Sequence, residues 1–225
     1  MTEPFDLRRR VVAEALGTAI LVATVVGSGI MAASRTDDVA LALLANTLAT
    51  GAVLVVLISA LGPISGAQMN PAVSLVLALS RCLSWRDLAA YIPAQVVGGI
   101  LGTLAAHVMF GLPLAQASTH IRTGGPQWVS EAIAAFGLVV TILTGLRFQT
   151  AALPQLVGLY ITAAYWFTAS TSFANPAVAI ARSLTDTFAG IRPADLPGFI
   201  VAEIAGALIA LTLCGWLLRP KGPSP

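Results

Sequence analysis

The tetrapeptide Asn-Pro-Ala-Val occurs twice, at 70–73 and at 175–178, each time between a long apolar run and a segment too short to cross a membrane. Residues 71–80 and 176–184 follow the two copies. Ten helical residues rise only about 15 Å, half of the roughly 30 Å of bilayer hydrocarbon. Each copy offers Asn at the favoured N-cap position and Pro in the first helical turn, where its missing N–H does no harm. A single copy would be an ordinary helix start. Two copies in equivalent slots constrain the whole chain, because non-helical backbone at membrane depth is tolerated only where protein or a wet cavity receives it.

Around the two copies lie six apolar runs of spanning length, at 11–33, 39–61, 88–110, 128–146, 151–171 and 197–218. Composition agrees, with 57% hydrophobic and 10% charged residues, against roughly 45–50% and 25% in soluble domains. A disordered chain is excluded by that hydrophobicity, and a disulfide scaffold by the presence of two Cys. Net charge is +2, and the twelve Lys and Arg form no basic stripe, so nucleic acid is not the expected partner. The opening MTEPFDLRRR is read as the flank of a first span rather than a signal peptide. The run from Val11 carries Glu14 and reaches Arg35 without a clear small-residue cleavage site.

The two halves match in order. AEALGTAILVATVVGSG (13–29) resembles SEAIAAFGLVVTILTGL (130–146), with Glu14 opposite Glu131, and AQVVGG (94–99) recurs as AEIAGA (202–207). Each half holds three spans, an odd number, so the second enters the membrane with opposite polarity. This is an inverted repeat, about 10–110 and 128–218, within a single transmembrane domain over 1–225. The expected fold is an all-α membrane protein with six transmembrane helices and two re-entrant half-helices meeting near the midplane. Their positive ends would converge there, with the Asn amides as free donors and the preceding carbonyls as acceptors. Such a centre holds neutral hydrogen-bonding solutes and repels cations.

These residues are similar to those of the aquaporin, or major intrinsic protein, family. The signature triplets are Asn70-Pro71-Ala72 and Asn175-Pro176-Ala177, joined by AEALGT, SGAQMNPAV and AQVVGG. The resemblance covers about residues 10–218. It implies six tilted spans around one pore per subunit, and a homotetramer whose subunits conduct independently. It also implies that Glu14 and Glu131 accept hydrogen bonds from the re-entrant loops; a proton relay through these intramembrane carboxylates is the other reading. Glu203 matches Gln95 across the repeat, which argues against a paired acid–base role.

One position departs from the family pattern. Where Arg usually follows the second triplet this chain has Val178, and Arg182 stands four residues further on. Arg182 reads either as a replacement cation from the next turn or as a buried anchor, paired with Asp186 at helical i, i+4 spacing. Matching the family's spacing puts the other selectivity-filter positions at Thr50, Tyr165 and Ser172, with Trp166 or Phe167 as alternatives to Tyr165. A filter of Thr50, Tyr165, Ser172 and Val178 is wider and carries less charge than a water filter. The expected function is a passive channel for water with small polyols or neutral metalloid hydroxides such as arsenous acid, boric acid or methylated arsenicals. The alternatives are a water-selective pore and an alternating-access transporter, which inverted repeats and broken helices also describe.

No enzyme constellation, cofactor or metal site is expected. His107 and His120 have no Cys or carboxylate at ligand spacing, and Cys82 and Cys214 are isolated. Gly98, Gly99 and Gly102, and Gly206 with Ala210, are read as close helix contacts. With the N-terminus inside, eight Lys and Arg are cytoplasmic (Arg8, Arg9, Arg10, Arg81, Arg86, Arg147, Arg219, Lys221) and four face out (Arg35, Arg122, Arg182, Arg192). That majority places both termini in the cytoplasm; the compact loops and the lack of a targeting sequence point to a membrane of bacterial inner-membrane type.

Overall fold

A computed structural model describes residues 5–114 and 116–219; Lys221, counted above among the cytoplasmic cations, lies outside them. The described residues form eight α-helices and no strand: α1 (Leu7–Ala33), α2 (Val39–Ser65), α3 (Pro71–Leu79), α4 (Trp85–Met109), α5 (Gly125–Phe148), α6 (Leu153–Phe167), α7 (Pro176–Arg182) and α8 (Leu196–Leu217). Helix starts follow their caps. Asp6, Asp38 and Ser84 accept backbone N–H bonds at the heads of α1, α2 and α4.

Five of the helices are long and apolar enough to span a bilayer. The fifth sequence run, expected over 151–171, is helical only over Leu153–Phe167. Those fifteen residues rise about 22 Å. The 3-10 turn at Thr150–Ala152 in front of them adds about 6 Å. The helix stops because Thr168 turns to extended backbone (φ −110°, ψ 137°), and its hydroxyl caps the Ala164 carbonyl. From there the chain runs inward to the second triplet as non-helical backbone.

The repeat is visible in the packing. The α1–α4 contact and its counterpart α5–α8 are the two most extensive in the molecule. Each half-helix also packs across the repeat, α7 against α4 and α3 against α8. Glycines make the two matched contacts close. An ideal Cβ on Gly98 would lie 2.2 Å from the Ala15 carbonyl oxygen, and one on Gly206 would lie 2.0 Å from that of Ala132. Such helices approach at backbone contact, which draws the third and sixth spans in against the half-helices.

Candidate functional site

The two half-helices begin at Asn70 and Asn175. Each Asn Oδ1 accepts from two N–H groups of its own first turn, those of Ala72 and Val73 and those of Ala177 and Val178. Each amide nitrogen reaches across the repeat. Asn70 Nδ2 donates to the Ala174 carbonyl at 2.7 Å, and Asn175 Nδ2 to the Met69 carbonyl at 2.8 Å. The amides are therefore not the wholly free donors expected from sequence. An amide carries two N–H groups, so each Asn uses one to latch the opposite loop and keeps one for the cavity that both border.

The loops feeding the two helices carry the same unusual backbone. Ala67 and Met69 have positive φ (45° and 48°), and so do Ser172 and Ala174 (51° and 48°), at matching places before each Asn. Left-handed conformations at non-Gly residues cost of order 1–3 kcal/mol each and persist only when their surroundings enforce them. The enforcers are the buried glutamates. Glu14 accepts from Ser65 Oγ (2.7 Å), Gln68 N (2.9 Å), Met69 N (2.6 Å) and Gln95 Nε2 (2.8 Å). Glu131 accepts from Phe173 N (2.9 Å) and Ala174 N (2.7 Å). Neither carboxylate is among the groups bordering the cavity.

Glu203 breaks the symmetry. Its Oε1 accepts the Asn175 N–H at 2.9 Å, while Oε2 is buried without a partner among the described residues. In the first half, Gln95 Nε2 fills the equivalent place and donates to both Glu14 and Ser74. Glu203→Gln supplies a donor next to Glu131 and is expected to keep or raise the thermal midpoint of detergent-purified protein. Glu203→Leu removes the acceptor from Asn175 N–H and is expected to lower it.

A cavity of about 340 Å³ collects Asn70 and Asn175 together with Thr50, Tyr165, Ser172 and Val178. The Pro and Ala of both triplets (Pro71, Ala72, Pro176, Ala177) are buried in the first turns, behind that surface. Tyr165 is 3% exposed, whereas Trp166 and Phe167 are 49% and 57% exposed on the outer surface, so those two alternatives drop out. Thr50 Oγ1 and Tyr165 Oη lie 3.2 Å apart, joining α2 to α6, and the Ser172 hydroxyl has no partner among the described residues. Much of the remaining lining is apolar, including Leu21, Val25, Leu54 and Ile161.

Arg182 borders the same cavity and does not pair with Asp186. The helix ends at Arg182, so the i, i+4 geometry never forms, and Asp186 instead accepts from the backbone N–H and hydroxyl of Thr119. Those two bonds hold its carboxyl below the usual carboxylate range. Arg182 donates from Nε to the Ala189 carbonyl and lies flat on the Phe173 ring, 3.4 Å from guanidinium carbon to centroid. Arg122 also approaches Phe173, at 5.1 Å. His107 joins α4 to the loop after α7 through Thr185 at 2.8 Å. No spacing in the sequence announces Arg122, Phe173 or Thr185 as neighbours of these groups; only the folded loops bring them together.

Comparison with known proteins gives three findings. A family model described as major intrinsic protein matches residues 1–165. Aquaglyceroporin AqpS of Rhizobium meliloti is 67% identical over 98% of this chain and 95% of its own, and aquaporin NIP2-1 of Zea mays is 33% identical over 73% and 55%. The X-ray structure of the aquaglyceroporin from Plasmodium falciparum superposes with a TM-score of 0.71 at 21% identity, covering 96% of this chain and 98% of that one.

Proposed function

The chain belongs to the major intrinsic protein family, a family of passive membrane channels, and from that membership we propose that its cavity is a pore for water and small neutral polyols. Neutral metalloid hydroxides such as arsenous acid, boric acid and methylated arsenicals fall in the same class of compact, uncharged, hydroxyl-rich solutes. The observation that carries the reading is the cavity's mixed lining. Hydroxyl and amide groups of Thr50, Tyr165, Ser172, Asn70 and Asn175 share one space with the apolar side chains of Leu21, Val25, Leu54 and Ile161. A polyol presents the same mixture: its oxygens exchange hydration bonds for bonds to the polar groups, and its CH groups meet the apolar ones. The name of the Rhizobium relative, an aquaglyceroporin, supports the same solute class.

In this reading Thr50, Tyr165, Ser172 and Val178 form the selectivity filter, Asn70 and Asn175 orient the permeant at the midplane, and Glu14 and Glu131 anchor the loops. The protein is integral to the membrane. We assign both termini to the cytoplasm on the eight-to-four excess of Lys and Arg, the membrane to the bacterial inner type on the bacterial source of its 67%-identical relative, and the protein to a homotetramer with one pore per subunit on its family membership.

Stopped-flow light scattering on proteoliposomes tests the filter. Native vesicles should pass water, glycerol and boric acid, and Val178→Arg should keep water while losing about tenfold or more of the glycerol flux, since a guanidinium there fills the lumen and adds fixed charge. Native vesicles that pass water alone would move the pore to the water-selective class, with Tyr165 as the obstruction.

A further inference from the structure

Asn175, Val178 and Arg182 are spaced i, i+3 and i+7, so they lie along one face of α7. All three border the cavity. Arg182 is 2% exposed, close to the 3% of Tyr165 and Ser172, as suits a residue in the wall of a narrow lumen. Its Nε is held by the Ala189 carbonyl and one face of its guanidinium by Phe173. Among the described residues its Nη nitrogens have no protein acceptor, neither is fully buried, and the residue lines the cavity. Arg122, on the same aromatic ring, differs in each respect. It uses Nε on the Gly190 carbonyl and Nη1 on that of Ser170, and it does not border the cavity.

None of the carboxylates around it pairs with Arg182. Glu203 takes the Asn175 N–H on Oε1, and its Oε2, though without a partner among the described residues, makes no ion pair with the guanidinium. Asp186 takes two bonds from Thr119, Asp195 takes the Arg122 N–H and the Arg192 side chain, and Glu131 takes the loop amides of Phe173 and Ala174. Arg182 therefore makes no ion pair among the described residues. A buried guanidinium without a counter-ion is expensive unless it faces water or polar solute. A lumen supplies both. The two pinning contacts fix the charge in place while leaving its Nη donors to whatever passes.

We propose that Arg182 is the charge-selecting residue of this pore, standing one helical turn further from the Asn pair than the ring of Thr50, Tyr165, Ser172 and Val178. Four residues of helix place it about 6 Å along the axis from Val178. Size selection and cation rejection are then done at two depths by different residues. The ring can be wide enough for a polyol without opening the pore to sodium, potassium or hydrated protons, because a fixed cation waits beyond it. The Nη donors also favour solutes that bring an acceptor oxygen, which suits neutral hydroxylated permeants and disfavours purely apolar ones of the same size. The proposal rests on the channel reading above.

The test is cation leak. Native, Arg182→Met and Arg182→Lys proteins are reconstituted in liposomes, and potassium and proton entry under an imposed membrane potential is followed with entrapped dyes, beside water flux by light scattering. Repulsion between unit charges about 6 Å apart at an effective dielectric near 20 corresponds to roughly a hundredfold in rate. The Arg182→Met vesicles should therefore leak potassium at least about tenfold faster than native ones, and Arg182→Lys, which keeps the charge and loses the planar stack, should stay tight. Arg182→Met vesicles that pass water and remain tight overturn the proposal. A leak of equal size in Arg182→Lys also overturns it, since packing on Phe173 rather than charge would then be the cause.

Should Arg182→Met fail to reconstitute, Val178→Glu against Val178→Gln decides. A carboxylate one turn away cancels the guanidinium, so a leak in the Glu variant alone is expected, and equal leaks refute the idea. Native vesicles that pass no water above the protein-free rate would refute the pore itself, an outcome distinct from a conducting pore indifferent to Arg182.

Discussion

Glu14→Leu should leave no monodisperse protein on size-exclusion chromatography in mild detergent. Four donors converge on this carboxylate: Ser65 Oγ, Gln68 N, Met69 N and Gln95 Nε2. Replacing it with an apolar group strands them in a region where water does not substitute. Each buried orphan costs about 1–3 kcal/mol. The sum is comparable with the whole margin of about 5–15 kcal/mol that holds a typical protein folded. The bonds to the backbone also hold Met69 in its left-handed conformation, so their loss frees the strain of that turn and with it the Asn70 cap. Glu14→Gln keeps one carbonyl oxygen and sets an NH2 against the remaining donors. It should fold with a lowered thermal midpoint. Glu131→Leu strands two donors, both backbone N–H groups, where Glu14→Leu strands four, and should fall between these extremes.

Gly98→Ala and Gly206→Ala should each cut the yield of folded protein severely, by about an order of magnitude, for a methyl group added in lipid-buried helices. The added carbon would sit 2.2 Å from the Ala15 oxygen in the first case and 2.0 Å from the Ala132 oxygen in the second. Both obstacles are backbone, so relief requires a whole helix to move. Pushing α4 away from α1 draws Gln95 off Glu14; pushing α8 away from α5 disturbs Glu203 beside Glu131 and its bond to Asn175. Gly215→Ala, where a Cβ meets nothing within 4 Å, is the control and should express as native. Equal yields for all three would mean that the helix pairs do not depend on backbone contact.

Much of this arrangement was legible because it is stated twice. The recurrence of Asn-Pro-Ala-Val located both half-helices to within two residues of their ends, and the pairing of Glu14 with Glu131 pointed to two carboxylates that accept from the loop N–H groups. Apolar length located the spans, apart from the C-terminal end of the fifth. There Thr168, Ala169 and Ser170 continue an apolar-tolerant composition while the backbone has already left the helix. The left-handed residues were not readable. Ala67, Met69 and Ala174 carry no Gly or Asn signature, because tertiary hydrogen bonds rather than local propensity impose their φ. Arg182 exposes a similar limit. The i, i+4 rule that offered Asp186 presumes a continuing helix, and the helix stops at the arginine itself.

The exchanged Asn bonds have a consequence for how such a chain is made. The Met69 carbonyl receives its donor from a residue 106 positions later, and the Asn70 amide donates to one 104 positions later. At about 5–20 residues per second, a ribosome delivers that second half several seconds to some twenty seconds after the first loop has emerged. For that interval the nascent first half holds a strained turn with its latch undone, inside or beside the machinery that inserts membrane proteins. Neither half can finish its own turn before the other arrives, so the last step of folding is mutual. Mutations that slow insertion of residues 125–175 should then resemble, in their outcome, mutations of the first loop itself.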